Sequence, residues 1–216
     1  MSALFIAENV QSTGMPSAIS FELQTEQRVV LIGESGTGKT VLFKSLADLS
    51  DHQGQVFLNG KKQSDICPED WRRQVMYFSA ETAWWKDTAA EHFETLPSDE
   101  QLDAVGLTSE QLKQTVSALS SGEKQRLALL RGLSYKPTIL LLDEITANLD
   151  SVATLKVEAV VKAYCQTQQA AMFWITHDEV QQKRLVEPEN RWDIQELYRQ
   201  NNHQENNRNS NQGDII

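Results

Sequence analysis

Gly33-Glu34-Ser35-Gly36-Thr37-Gly38-Lys39-Thr40 fits the pattern G-x-x-x-x-G-K-[ST], a glycine-rich loop that cradles phosphate. Its flanks matter as much as its letters. Before it, Arg28-Val29-Val30-Leu31-Ile32 is a short β-branched apolar run, the composition of a buried parallel strand. After it, Val41, Leu42, Leu46 and Leu49 recur at helical spacing, so the loop links a strand to a helix. The glycines let the backbone curl until successive N–H groups aim at one anion, and the helix N-terminus adds partial positive charge there. Lys39 is placed to reach the β- and γ-phosphates, and the Thr40 hydroxyl to hold Mg²⁺. A glycine-rich turn matching by chance would not carry both flanks. The stretch implies a nucleoside triphosphate site.

Outward from the loop, apolar runs and helical patterns alternate. Residues near 3–8, Ala18 to Leu23, Gln55 to Leu58, Val75 to Phe78, Thr138 to Leu142 and Ala171 to Thr176 read as strands. Cys67 to Arg73, Gly122 to Leu133, Ser151 to Gln166 and Asp178 towards Leu185 read as helices, the first with Pro68 near its start. This alternation predicts an α/β fold with a mainly parallel sheet covered on both faces. From Glu81 to about Val116 the strand signals stop. Ser98-x-x-Gln101 and Thr108-x-x-Gln111 have capping-box form there, so a helical insertion is expected over about 81–118. Residues 201–216 are rich in Asn and Gln with little to bury, and read as a disordered tail after a domain spanning 1–200.

Ile139-Leu140-Leu141-Leu142 ends in Asp143-Glu144. The C-terminal end of a doubly buried strand faces the ligand crevice of an open parallel sheet. Asp143 there can hold Mg²⁺ and Glu144 can polarise an attacking water, since phosphoryl transfer rests on positioning and charge stabilisation. An acidic strand end can also simply cap the next turn; the phosphate loop in the same chain favours the catalytic reading.

Leu119-Ser120-Ser121-Gly122-Glu123-Lys124-Gln125-Arg126 supplies hydroxyls and a glycine at a second helix start, a second anion site far away in sequence. With it the chain resembles the ATP-binding-cassette (ABC) ATPases, whose signature reads LSGGQ or LSGGE. Two further family motifs follow in order: a D-loop, Ala147-Asn148-Leu149-Asp150, and a switch histidine in Ile175-Thr176-His177-Asp178. The resemblance covers about residues 1–186. It implies a P-loop fold with antiparallel N-terminal strands, ATP and Mg²⁺ as cofactors, and head-to-tail dimers that trap ATP between two subunits. Ser120 and Gly122 would then act on the partner's nucleotide, Asp150 would couple the two sites, and His177 would sense the γ-phosphate. A separate transmembrane permease subunit is the implied partner, with a second ATP-binding subunit, expected to be a copy of this chain. Within the family the short insertion is similar to small ATP-binding subunits of bacterial iron/metal exporters.

The chain departs from the pattern at three places. Ala80 stands where the family usually has a metal-binding glutamine, and adjacent Glu81 would face the other way in extended backbone. Ser121 replaces a signature glycine, at an expected cost in backbone freedom. Gln11 lies where an aromatic usually stacks on adenine. Trp84-Trp85 is a separate feature: adjacent tryptophans cannot share one core in a regular element, and in family transporters that surface receives the membrane subunit.

The 216 residues suffice for one domain with a full core. A formal net charge of -10 gives no phosphate-backbone footprint, so nucleic acid is not expected as a partner. The two cysteines lack metal-ligand spacing and suit a reducing compartment. No signal peptide or span-length apolar run is visible, which implies a cytoplasmic protein, peripheral on the membrane's cytoplasmic face. Soluble ABC ATPases of repair or translation, and an ATP-dependent scaffold, are the alternatives. The former carry long insertions or tandem cassettes absent here. A GTPase or small-molecule kinase leaves the signature helix unexplained, and no guanine-reading N-K-x-D is present.

Overall fold

The computed structural model describes residues 3–201. In chain order it begins with β1 (Phe5–Gln11), β2 (Ile19–Leu23), β3 (Arg28–Ile32), α1 (Lys39–Leu46), β4 (Gln53–Leu58), β5 (Lys61–Lys62), α2 (Pro68–Gln74) and β6 (Val75–Ser79). There follow α3 (Asp99–Ala104), α4 (Ser109–Lys113), α5 (Ser121–Ser134), β7 (Ile139–Asp143), α6 (Ser151–Gln168), β8 (Ala171–Ile175), α7 (Glu179–Leu185) and β9 (Arg191–Asp193). A last helix occupies 194–201.

Two sheets result. An antiparallel sheet runs β2-β1-β4-β5, and a parallel one runs β6-β7-β8-β3-β9. Every residue of β7 and β8 is buried, as expected of strands covered on both faces. Their side chains alternate between two cores. Ile139 and Leu141 face the antiparallel sheet and α1, while Leu140 and Leu142 pack with Val157 and Val161 of α6. Parallel order sets β7, β8 and β3 side by side, so the segments after them emerge at one sheet edge. That edge carries the site.

The insertion has its own small core, in which Leu102 of α3 and Leu112 of α4 meet Leu127 of α5. Both anticipated capping boxes form, at Ser98 and Thr108. The expectation of helix from Glu81 onward is corrected: residues 80–97 are mostly irregular, with one short turn at Ala90–His92. The physical reason is local. His92 is buried, and its Nε2 accepts from the Trp85 and Lys86 N–H groups, both at 2.9 Å. A side chain thus satisfies donors that a helix would have paired internally.

Two features of the C-terminal region were not anticipated. β9 pairs with β3, Val30 against Arg191 and Ile32 against Asp193. Asn201, expected to open the tail, is helical and only 3 % exposed. The remainder of that tail, 202–216, lies outside the described residues.

Candidate active site

The phosphate loop follows β3 as the sequence implies. Gly38 caps α1 at a left-handed φ of 93°. A Cβ there would sit 2.9 Å from Tyr198 Oη and 3.2 Å from the Gly14 carbonyl oxygen, so a side chain is excluded by both conformation and space. Gly33 is confined similarly, since a Cβ would lie 2.8 Å from Ile194. The terminal helix therefore buttresses the loop, and Tyr198 Oη donates to the Thr37 carbonyl at 2.9 Å.

Lys39 is buried with its ammonium turned into the loop, donating to the Gly33 and Glu34 carbonyls at 2.8 Å each. Burial lowers its pKa; Glu144, Asp143 and Asp193 oppose that shift. Thr37 Oγ1 also donates to Glu34 O, at 2.7 Å, and tightens the turn around Ser35 and Gly36. Thr40 Oγ1 donates to Asp143 Oδ2 at 2.8 Å across the gap between α1 and β7. The same carboxylate oxygen accepts from Tyr77 Oη at 2.8 Å. Burial is the main reason the Tyr77 hydroxyl is held well above its ordinary pKa, which keeps it a donor to Asp143.

Glu144 follows directly and takes a left-handed φ of 52°, rare for a non-glycine residue. Its N–H donates to the Ile175 carbonyl at 3.1 Å, tying it to the end of β8. His177, just beyond that strand, places Nε2 3.2 Å from Glu144 Oε1, with both side chains about half exposed. Beneath this pair, buried Gln181 bridges the two loops. Its amide exchanges hydrogen bonds with Thr146, accepts from the Thr176 hydroxyl and donates to Glu158, which pairs with Arg184 at 2.7 Å. A cavity of about 460 Å³ opens beside Glu144, His177 and Leu149.

The structure thus brings together Lys39, Thr40, Asp143, Glu144 and His177 around one edge. Ser120, Gly122 and Asp150 belong to other helix starts. Ser120 caps α5 and forms a reciprocal box with Glu123, whose carboxyl pKa those bonds lower. Gly122 is buried against the Leu149 side chain, 3.0 Å from where its Cβ would be. Asp150 caps α6 through the Ala153 N–H, which holds its carboxyl below the usual range. Ser121 takes the first position of α5 with an exposed side chain, so no unusual backbone freedom is spent there.

At the end of β6, Ser79 pairs with Asp143, which makes Ala80 the first residue beyond the strand. The Ser79 carbonyl accepts from Gln125 of α5 at 2.9 Å. Trp84 leans on the insertion core and Trp85 is 68 % exposed, with the Arg131 guanidinium 4.5 and 5.1 Å from their rings. Sequence reasoning missed Tyr77, Gln181 and Tyr198. The Tyr77 signal was available only through strand register. Gln181 is polar at a buried helix position, and Tyr198 lies in a segment with no motif.

A family model described as ABC transporter matches residues 17–147, more than half of the chain. The Probable iron export ATP-binding protein FetA of Escherichia coli (strain K12) is 33% identical over 172 residues, 74% of this chain and 76% of the relative. The aliphatic sulfonates import ATP-binding protein SsuB 3 of Pseudomonas syringae pv. syringae (strain B728a) is 34% identical over 167 residues. That match covers 74% of this chain and 60% of the relative. Among solved structures, a bacterial Atm1-family ABC exporter with ATP bound aligns with a TM-score of 0.68 at 21% identity. It covers 84% of this chain and 36% of that one, a likeness of fold. The sequence match and the shared fold agree: the chain belongs to the ABC transporter family, as an ATP-binding subunit and ATPase.

Proposed function

We propose that this subunit hydrolyses ATP with Glu144 as general base and drives a separate membrane permease through ATP-dependent pairing of two copies of itself. The observation that carries the reading is the convergence of Thr40 on Asp143 at 2.8 Å and of His177 on Glu144 at 3.2 Å, beside the Lys39 loop. Gly33 to Thr40 would wrap the phosphates with backbone N–H groups, and Lys39 would neutralise the β- and γ-oxygens. Glu144 would orient a water in line and take its proton, while His177 would hold the γ-phosphate and the carboxylate in register.

Thr40 and Asp143 fit Mg²⁺ as hard oxygen donors. Among the described residues no cluster of three or more His, Cys, Asp or Glu could hold a metal. Mg²⁺ usually takes one or two protein oxygens and completes its shell with phosphate and water. When bound, the ion supplies neutralisation of phosphate charge during transfer. Ala80 adds no ligand, so Asp143 and Thr40 are the protein's contribution.

Ser120 and Gly122, at the start of the 14-residue α5, would meet the γ-phosphate held by the second copy, with Asp150 coupling the sites. No helix among the described residues is long and apolar enough to cross a membrane; in this reading transport would run through a separate permease. The subunit would work docked on that permease, at the cytoplasmic face of the membrane. Exposed Trp85 over Arg131 offers the aromatic anchor for that contact. The chain's acidity supports no nucleic-acid role. Relatives named for iron export and for sulfonate import match at comparable identity, and no residue of the nucleotide site meets a cargo. The cargo is therefore left to the permease.

Tagged Glu144→Gln purified from native membranes in mild detergent with ATP tests this. A polytopic membrane protein should co-purify, and Trp85→Ala should reduce its yield while ATP binding persists. Recovery of the chain alone, with ATP bound, would contradict the permease reading.

A further inference from the structure

Glu144 and His177 stand on different loops, and each loop needs something to hold it. Glu144 keeps a left-handed φ of 52°, which a non-glycine residue does only where its surroundings over-determine it. One restraint is the bond from its N–H to the Ile175 carbonyl at 3.1 Å. The other lies two residues on, where the buried Thr146 hydroxyl meets the Gln181 amide, 3.2 Å from Oε1 and 3.0 Å from Nε2. His177 is bracketed by its neighbours. The buried Thr176 hydroxyl donates to the same Gln181 Oε1 at 2.5 Å and accepts from the Asp178 N–H at 3.2 Å. Gln182 Nε2 adds a bond to the Thr176 carbonyl at 3.1 Å.

Gln181 can serve both loops because its backbone and its amide are themselves fixed. Asp178 caps α7, its Oδ1 accepting from the Val180 and Gln181 N–H groups at 2.8 and 3.1 Å. The side chain is 1 % exposed, and Nε2 donates to Glu158 Oε1 of α6 at 3.1 Å. A carboxylate paired with arginine only accepts, so the NH₂ group must face α6 and Oε1 must face the two threonines. Glu158 is held in turn by Arg184, whose Nε and Nη2 reach its two oxygens at 3.1 and 2.7 Å. Every member of the set has a partner, and buried networks satisfied in this way are rigid. An apolar residue at 181 would fill the same space without tying one loop to the other.

We propose that Gln181 is a positioning residue of the ATPase. By holding Thr146 and Thr176 on one amide, it sets the Glu144 carboxylate and the His177 imidazole in the register that orients the attacking water. Buried beneath the pair, it acts through those two side chains alone. This role rests on the reading of Glu144 as general base and His177 as its partner.

Steady-state ATP turnover and ATP titration of full-length variants test it. Gln181→Leu should lower kcat by about 10²-fold, the cost of misplacing a reacting group by about 1 Å, while KM and the ATP dissociation constant stay within about twofold. Thr146→Val and Thr176→Val keep the side-chain shape and remove one hydroxyl each; either should lower kcat by about threefold to tenfold at unchanged KM. In a Glu144→Gln background, where the carboxylate to be positioned is gone, the Gln181→Leu loss should shrink to about threefold or less. An amide that only stabilises the fold would cost the same factor in both backgrounds. That equality, or an unchanged kcat in both threonine variants, overturns the inference. If Gln181→Leu does not fold, the threonine variants decide. Wild-type turnover by Glu144→Gln alone would instead refute the reading of Glu144 as base, a distinct result.

Discussion

The two helix starts proposed to bind phosphate are built in opposite ways. The start of α1 is clamped from every side: β3 feeds it, the terminal helix fills the space against Gly33 and Gly38, and Asp143 accepts from Thr40. The start of α5 is held by its own capping box, Ser120 with Glu123, and by a contact of Gly122 with Leu149. One end is preorganised around the charge it is proposed to bind. The other keeps its hydroxyl occupied by Glu123 Oε2, at 2.6 Å, a bond that must yield before Ser120 can serve a phosphate. That contrast is what a site shared between two copies requires, with one half complete and the other adjustable.

The contrast can be broken most severely at the complete half. Glu144→Gln removes the proposed base and should cut turnover by about 10²–10⁴-fold while ATP binding survives, measured by phosphate release and by nucleotide titration. Lys39→Ala should lose about 10²–10³-fold in turnover and weaken binding too, because the lost charge acts in the ground state as well. Tyr77→Phe leaves Asp143 with one donor fewer; the Mg²⁺ concentration for half-maximal activity should shift by about two- to tenfold, with the melting temperature little changed. An unchanged Mg²⁺ requirement would show that Tyr77 merely packs.

At the adjustable half the effects are smaller. Ser120→Ala should cost about 1 kcal/mol of stability in urea unfolding, the usual worth of a helix cap, and should leave ATP binding by the isolated subunit intact. Asp150→Asn keeps an N-cap acceptor but removes the charge. The Asp150 carboxyl is depressed below its ordinary value of 3.8, so its extra stabilisation is complete above that pH. It is lost as the pH falls through the depressed value. The stability difference between wild type and Asp150→Asn should vanish in that acid window and be constant at neutral pH, as denaturation across pH would show.

The same contrast explains what could be read from the letters. The phosphate loop, the Asp143-Glu144 strand end and the Ser98 and Thr108 boxes are local patterns, written within a few residues of each other. The sheet partners of β9 are about 160 residues away, and Arg191-Trp192-Asp193 has no strand signature by itself. Tyr77 reaches Asp143 only because β6 and β7 pair in the register Ser79 with Asp143. Residues 80–97 misled because His92 and Arg131 supply backbone and aromatic partners that periodicity does not encode. Asn201 looked like tail because its neighbours are amides, yet it is buried, with its side chain 3.4 Å from Asn9.

The measurement closest to the central claim is the molar mass of purified Glu144→Gln in solution, by light scattering, with and without ATP and Mg²⁺. Two half-sites completed by a second copy predict a monomer that becomes a dimer when ATP is added, and a Lys39→Ala protein that stays monomeric throughout. A Glu144→Gln protein that binds ATP and remains a monomer at high concentration, or a dimer indifferent to nucleotide, would contradict it.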